Sequence, residues 1–296
     1  MEWRASRPRL NARMQEFHYK VGWRARGQRQ GFHASASQGS GMEFVGHAPL
    51  AGYGDPRRID IRASLANPTG DWLVRLHRTR AALPVCVVLD LSASMGFAGV
   101  RRKLDVVRQF VASAGFSARR TGDAFGLIAA DDSIREQVWL PLTHARSAAQ
   151  TALARLEGVA ASHGSAGLLE ALHWLPRNRA LVFLVSDFHF PLDMLAQLLD
   201  GLAHHGVVPV VVWDDAEARR LPGFGLVELA DPETGQRRTV LMRASLRRRW
   251  IEAVAQRRGA LRDCFIAHRT RPFFVDGDFD ADSLTRYFLG DDAHSV

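Results

Sequence analysis

The sequence predicts an α/β protein built on a doubly wound, mainly parallel β-sheet. Its central strand is expected at residues 85–89, an unbroken apolar run rich in β-branched side chains, as in strands buried on both faces of a sheet. Three further apolar runs follow, at 124–130, 180–185 and 207–213, and segments with helical spacing separate them. Strands that alternate with helices are typical of a parallel sheet with right-handed crossovers.

Length and composition predict a soluble protein with a sizeable core. The chain has 296 residues, of which 47% are hydrophobic, and no apolar run reaches the roughly 18 residues needed to cross a bilayer. The first fifteen residues lack the apolar segment of a secretory signal. Cys86 and Cys264 lie in apolar surroundings, so neither a disulfide framework nor a zinc site is expected. We therefore expect a cytoplasmic protein, with peripheral contact at the inner membrane left open.

The N-terminal segment is strongly basic. Residues 1–31 hold eight Lys or Arg against two Glu, whereas the rest of the chain is nearly balanced within a net charge of +8. A basic arm contacts phosphate, an anionic membrane face or an acidic protein. The aromatic residues interleaved with it suit base stacking and packing on the domain equally well. Binding of nucleic acid or an anionic membrane through this arm is kept as a second alternative function, and nucleic acid is not the expected partner.

The region before the central strand is predicted as a small β-rich lead-in. A helix is expected at 8–21, a loop at the Gly- and Ser-rich stretch 31–44, and a short strand at 72–76. At 58–62, Ile59 and Ile61 alternate with charged residues, which also predicts a strand.

The rest of the chain supplies the helices of the main sheet and a C-terminal accessory region. Helices are expected at 100–114, 145–156, 168–175 and 191–205. The C-terminal region is predicted to contain a hairpin of 225–230 and 238–242, a helix at 244–258, a strand near Phe265 and a helix at 282–289. Three regions result: a basic arm and lead-in at 1–80, the α/β domain at 81–215, and a C-terminal part at 216–296 that packs on the accessory region.

Acidic and hydroxyl side chains follow two of the predicted strands. Asp90, Ser92 and Ser94 come directly after the central strand, and Asp187 follows the strand at 180–185. Ser165 stands between glycines at the start of a predicted helix. Ligands of open α/β sheets bind beyond the carboxyl ends of the strands, and such oxygen donors suit Mg²⁺ or Ca²⁺. Taken singly, these residues equally fit helix caps and turns.

The ordered series of motifs resembles a known family. The Asp-x-Ser-x-Ser sequence, a later hydroxyl and a distant Asp resemble the metal-ion-dependent adhesion site of von Willebrand factor A domains. The MoxR-associated branch of that family, which has no assigned function, is more similar still across residues 31–290. The motifs that carry this resemblance are Gly41-Met-Glu-Phe44, Gly54-Asp-Pro-Arg-Arg-Ile-Asp60, the Asp90 segment, Ser186-Asp-Phe188 and the turn Asp231-Pro-Glu-Thr-Gly235. This chain has Ser165 where Thr is common and Ile61 where Trp is usual.

The resemblance implies a von Willebrand factor A-like fold and a non-catalytic docking function. A divalent cation, Mg²⁺ or Ca²⁺, would be held by Ser92 and Ser94, with Ser165 as third hydroxyl and Asp90 and Asp187 acting directly or through water. The implied partners are a MoxR-type AAA+ ATPase and a client protein that supplies an Asp or Glu to the metal. The implied role is chaperone-like, in maturation or metal insertion of a client complex such as methanol dehydrogenase, with no small-molecule substrate and no transmembrane segment.

An enzyme is the main alternative. A Mg²⁺-dependent phosphohydrolase of the haloacid dehalogenase type would use Asp90 as its nucleophile, but it needs a second Asp where this chain has Ser92. The chain offers neither a G-x-S-x-G elbow nor a Cys–His pair. Counted from Asp276, the acidic stretch 276–282 has Ala281 where an EF-hand needs Gly at the sixth position and Tyr287 where it needs Glu at the twelfth, so it is predicted to cap the last helix. The histidines show no metal-ligand spacing, although His189 is predicted to line the crevice.

Overall fold

The computed structural model describes residues 14–23, 30–39, 43–53, 56–97, 99, 101–162, 164–214, 222–230 and 236–290. Its strands are β1 (Gln30–Gly39), β2 (Glu43–Pro49), β3 (Leu73–Ala81), β4 (Pro84–Asp90), β5 (Ala124–Ala130), β6 (Leu140–Thr143), β7 (Leu181–Ser186), β8 (Gly206–Trp213), β9 (Gly225–Ala230), β10 (Arg237–Met242) and β11 (Phe273–Asp276). Its α-helices are α1 (Leu50–Tyr53), α2 (Ile61–Leu65), α3 (Lys103–Arg120), α4 (Ala148–Leu156), α5 (Gly167–Ala171), α6 (Leu192–Gly201), α7 (Ala244–Ala267) and α8 (Ala281–Leu289).

The main sheet has six strands in the order β11-β8-β7-β4-β5-β6. All neighbouring pairs are parallel except β5 with β6, which confirms the predicted doubly wound α/β class. The chain runs outward from β4 through β5 to β6, then crosses back to β7 and continues to β8 and β11. The strand order therefore reverses between β4 and β7. Such a switch point opens a crevice at the carboxyl ends of the two strands.

Helices cover both faces of this sheet because its central strands are apolar on both sides. On one face, Val182 and Leu184 of β7 join a buried cluster with α6 and α7. On the other face, Phe183 packs edge-on against Phe110 of α3, with ring centroids 5.3 Å apart. Burial of each such side chain contributes about 1.5–3 kcal/mol, so a continuous core fixes β4 and β7 at the centre.

The described part of the N-terminal segment, residues 14–23, is extended, which corrects the helix predicted at 8–21; residues 8–13 lie outside the described ranges. Phe17 is 1% exposed and sits among the rings of Phe110, Phe183 and Phe279. Its backbone N–H donates to Ser117 Oγ at 2.9 Å. A side chain of α3 thus replaces the hydrogen bond that a helix would have provided, and the segment becomes part of the core.

Lys20–Leu83 and Thr121–Asp123 form a second compact unit, separate from the unit that holds the main sheet. It contains a three-stranded antiparallel sheet in the order β1-β3-β2. The loop predicted at 31–44 is wrong, because residues 30–39 and 43–49 pair with β3 and satisfy their backbone groups there. The strand predicted at 58–62 is also wrong. Asp60 Oδ1 accepts a hydrogen bond from Ala63 N at 3.2 Å, which caps helix α2 and leaves Ile61 exposed.

The described part of the C-terminal segment belongs to the same compact unit as the main sheet. The hairpin β9–β10 and the last helix form as predicted. The strand expected near Phe265 is wrong, since Phe265 lies inside the long helix α7, fully buried, 5.2 Å from the ring of Phe188. The strand forms instead at β11, paired with β8. No helix in the described ranges is long and apolar enough to cross a membrane.

Replacing Phe17 tests whether the N-terminal segment is part of the core. We expect Phe17→Ala to lower the free energy of unfolding by about 3–5 kcal/mol, because it removes a buried ring and leaves a cavity. Urea unfolding followed by circular dichroism measures the change. Met14→Ala is the matched control, since Met14 is 39% exposed, and an equal effect of both variants would contradict the packing described here.

Candidate metal centre

The predicted acids meet at the switch point of the main sheet. Leu89 of β4 lies beside Val185 of β7 in register, and Asp90 and Asp187 follow one and two residues later. Both side chains are fully buried. The short 3-10 turn Ala93–Gly96 follows β4 and brings Ser92 and Ser94 back to the same crevice, where both are buried.

Hydrogen bonds fix the carboxyl group of Asp90. Its Oδ1 accepts from the backbone N–H of Ser92 at 2.8 Å, and its Oδ2 accepts from Ser186 Oγ at 2.6 Å. Ser186 Oγ also accepts from the N–H of Phe188 at 2.8 Å. Ser186 was not among the predicted site residues. Its position as a hydroxyl directly before Asp187 is the sequence signal that identifies it.

A chain of oxygen atoms connects the two serines to the second acid. Ser92 Oγ lies 3.2 Å from Ser94 Oγ, and Ser94 Oγ donates to Asp187 Oδ1 at 3.1 Å. Four of the five predicted ligands, Asp90, Ser92, Ser94 and Asp187, are therefore brought together by the fold.

A lysine occupies the same cluster. Lys103, the first residue of α3, is 2% exposed, and its Nζ donates to Asp187 Oδ2 at 2.7 Å. The Lys103 ammonium also lies 3.4 Å from the backbone oxygen of Ser94. The sequence reasoning missed this residue. The available signal is its rarity: among 39 Lys and Arg residues only Lys20 and Lys103 are lysines.

The two acids have opposite pKa shifts. Burial, together with the negative charge of Asp187, raises the pKa of Asp90 from 3.8 to about 7, against the hydrogen bonds from Ser186 and Ser92. Burial is the largest single effect on Asp187 as well and raises its pKa. The charges of Lys103 and His189 and the hydrogen bonds from Lys103 and Ser94 together outweigh burial, so the pKa of Asp187 lies below its ordinary value. At neutral pH, Asp187 is therefore a carboxylate, while Asp90 is divided between its charged and neutral forms.

The hydroxyl of Ser165, the fifth predicted ligand, is hydrogen-bonded to a residue outside this cluster. Its Oγ donates to Met194 Sδ of α6 at 3.8 Å. The loop before α5 nevertheless reaches the Asp90 segment, because Ser162 N donates to the backbone oxygen of Leu91 at 2.9 Å and Ser162 pairs with Ser92. The loop that holds Ser165 therefore contacts the Asp90 segment through Ser162, while the Ser165 hydroxyl bonds to Met194.

The wall of the crevice beyond Asp187 is held in a strained conformation. Phe188 has a φ of 54°, which is unfavourable for a bulky side chain. Arg257 of α7 holds this segment by donating to the backbone oxygens of Phe188 and Phe190. His189 is exposed and stacks on Trp213, with centroids 5.8 Å apart. The imidazole therefore lies at the rim of the crevice.

The donor set fits a hard divalent cation. Hydroxyl and carboxylate oxygens are the ligands that Mg²⁺ and Ca²⁺ prefer, and two acids offset the charge of the ion. Within the described ranges, His, Cys, Asp and Glu side chains form no group of three that could hold a metal. A cation at this site would therefore depend on the hydroxyls of Ser92 and Ser94.

These features define a doubly wound α/β protein whose acids and hydroxyls gather at the switch point of its sheet. The chain belongs to the family described as "Protein of unknown function DUF58", whose model matches residues 53–260. This confirms the predicted membership in a branch without an assigned function.

One relative has a name that refers to moxR. An "Uncharacterized protein in moxR 3'region" of Paracoccus denitrificans is 41% identical over 103 residues, which cover 35% of this chain and 98% of that protein. An uncharacterized protein of Mycobacterium tuberculosis strain H37Rv is 27% identical over 260 residues, covering 85% of this chain and 80% of that protein.

Solved structures with some likeness to this chain include the conserved hypothetical protein BatB from Bacteroides thetaiotaomicron. It has a TM-score of 0.45 at 14% identity and covers 72% of this chain and 100% of that chain. The SpRpn10 VWA domain has a TM-score of 0.38 at 12% identity and covers 69% of this chain and 94% of that chain. The fold assignment therefore rests on the strand order of this chain itself.

Asp90 makes the stability of the metal-free protein depend on pH. The unfolded chain releases this proton near pH 3.8, whereas the folded protein keeps it up to a pKa of about 7. Because the folded state binds the proton more tightly, the free energy of unfolding falls as pH rises through this window, by up to about 4 kcal/mol. Urea titrations in chelator across the window measure the fall. Asp90→Asn should lose most of it, and parallel curves for the two proteins would refute the assignment.

Proposed function

We propose that this chain is a metal-dependent protein-docking adaptor that works with a MoxR-type AAA+ ATPase. Its role would be chaperone-like, in the maturation of a client complex or the insertion of metal into it, with methanol dehydrogenase as a candidate client. The observation that carries the proposal is the buried group of four oxygen-bearing side chains at the switch point. Asp90, Ser92, Ser94 and Asp187 come from two strand ends that are far apart in the chain.

Each side chain has a definite part in the proposed site. Ser92 and Ser94 would bind the cation through their hydroxyls, and Asp90 and Asp187 would bind it directly or through water. The bound cation would supply a Lewis-acidic position for an Asp or Glu carboxylate of the partner. Because hydroxyls add no negative charge, the cation keeps its affinity for that further carboxylate. Docking would then depend on both the metal and the partner.

The same geometry favours docking over phosphoryl transfer. A phosphohydrolase of the haloacid dehalogenase type needs a second Asp, two residues after its nucleophile, as acid/base. The position that would carry the acid/base residue is Ser92, which lies against Ser94 Oγ. We therefore propose a non-catalytic role.

The choice of partner rests on the relatives. The name of the Paracoccus denitrificans protein places it beside moxR, and genes that lie together commonly encode proteins that act together. The basic residues at 1–13 and 24–29, which suggested nucleic acid or membrane binding, lie outside the described ranges. They play no part in this proposal.

Capture of the ATPase from native lysate tests the proposed function. We expect the full-length chain to retain a MoxR-type ATPase in Mg²⁺ and to lose at least about 90% of it in chelator, because a carboxylate–metal contact disappears with the metal. Asp90→Ala should behave in Mg²⁺ as the wild type does in chelator. Quantitative mass spectrometry of the retained proteins gives the comparison.

Asp200→Ala is the matched control for this experiment. Asp200 lies near the end of α6, and its side chain is 77% exposed. A crossover helix ends at the edge of the sheet opposite the carboxyl ends of the strands, so this variant should retain the ATPase normally. Equal retention by wild type and Asp90→Ala, with and without metal, would refute metal-dependent docking.

A further inference from the structure

We propose that the Lys103 ammonium is a built-in competitor for the divalent cation, which has to displace it from Asp187 before the site is loaded. This inference rests on the proposed metal site and concerns its regulation. Lys103 would lower the affinity of the site for free divalent ions. Loading would then favour conditions in which metal and partner carboxylate arrive together.

The first support is that the lysine holds an oxygen that the metal needs. Asp187 Oδ2 is 2.7 Å from Lys103 Nζ, and Asp187 Oδ1 accepts from Ser94 Oγ at 3.1 Å. Both side chains of the ion pair are at most 2% exposed. A divalent cation bound to Asp187 would lie beside a buried positive charge, and repulsion between like charges is strong where water is excluded.

The second support is that the position of Lys103 is unfavourable for the helix it begins. Lys103 is the first residue of α3, where the helix dipole repels a positive charge. The ammonium is therefore stabilised by the acid it contacts and not by the helix. A lysine has been placed where helix formation alone would favour an acidic or neutral side chain.

The third support is that the ammonium already has a second partner beside Asp187. Its Nζ lies over the Phe97 ring, 5.7 Å from the centroid, and Phe97 is 37% exposed. An aromatic face attracts a cation, and the flexible stem of lysine allows the ammonium to move toward this ring and the solvent. Displacement from Asp187 therefore does not require Lys103 to remain buried without a partner.

Calorimetric titration of the full-length chain with MnCl₂ after removal of metal tests this inference. We expect Lys103→Met to bind Mn²⁺ at least about tenfold more tightly than the wild type, because the competing charge is gone. Lys103→Arg, which keeps the charge, should bind like the wild type or more weakly. Lys20→Met is the matched control, since Lys20 is the other lysine of the chain and is exposed. It should leave the affinity unchanged.

A second measurement guards against a folding defect in Lys103→Met, because that variant leaves the Asp187 carboxylate buried without its cation. Its thermal midpoint should fall in chelator and recover on addition of Mg²⁺, whereas the wild-type midpoint should change little. Adding Asp187→Asn to Lys103→Met should abolish both the tighter binding and the recovery.

The outcomes separate this inference from the proposed function. If wild type and Lys103→Met bind Mn²⁺ equally, or Lys103→Met binds more weakly, the competition by Lys103 is refuted while the metal site stands. If neither protein binds Mn²⁺ and capture of the ATPase is unaffected by chelator, the proposed function is itself refuted.

Discussion

Two carboxyl groups withdrawn from water at one edge of the sheet impose the constraint on which the site depends. Charges buried side by side repel each other and lose their hydration, so the protein must supply protons, hydrogen bonds or cations to compensate. Asp90 is compensated by a hydroxyl, a backbone amide and partial retention of its proton. Asp187 is compensated by a lysine. The strained residue Phe188, the turn after β4 that includes Ser94, and the first residue of α3 all lie beside these two carboxyl groups.

Two further acids at strand ends of this sheet, Asp131 and Asp276, are paired with arginines. Asp131, directly after β5, pairs with Arg135. Asp276, at the end of β11, pairs with Arg258 at 2.9 Å. Arg135 follows Asp131 by four residues, and Arg258 lies on helix α7. Both pairs are partly exposed. The Asp187 pair differs because its cation is a lysine and both side chains are buried. A compact ammonium is more readily exchanged for a metal ion than a planar guanidinium with several fixed hydrogen bonds.

Much of this arrangement follows from the sequence. The strands β4, β5, β7 and β8 are mainly apolar, and β4 and β8 are also rich in Val, so their positions were predicted almost to the residue. The meeting of Asp90 with Asp187 followed because parallel strands place their carboxyl ends at one edge of a sheet. An apolar run is sufficient to predict a strand that is buried on both faces, because apolar side chains suit either face without a specific partner.

Elements that depend on a distant partner were not predictable from pattern alone. The backbone N–H of Phe17 donates its hydrogen bond to Ser117, 100 residues away in the sequence, and β1 forms because β3 is available to pair with it. Ile61 lies in an alternating pattern that is typical of a strand, but the hydrogen bond from Ala63 N to Asp60 caps a helix that begins at Ile61. The sequence pattern also does not show that Lys103 contacts Asp187 or that the Ser165 hydroxyl bonds to Met194. Both contacts depend on the direction of a side chain in the folded protein.

The aromatic group around Phe17 has a consequence for synthesis of the chain. The rings of Phe17 and Phe279 are in contact although the two residues lie far apart in the sequence. Domains emerge from the ribosome N-terminus first, and contacts between distant residues form late. Phe288, whose ring centroid lies 6.3 Å from that of Phe183, therefore cannot cover this face of β7 until helix α8 has been synthesised. During that interval the nascent chain presents an apolar surface of the kind that general chaperones bind.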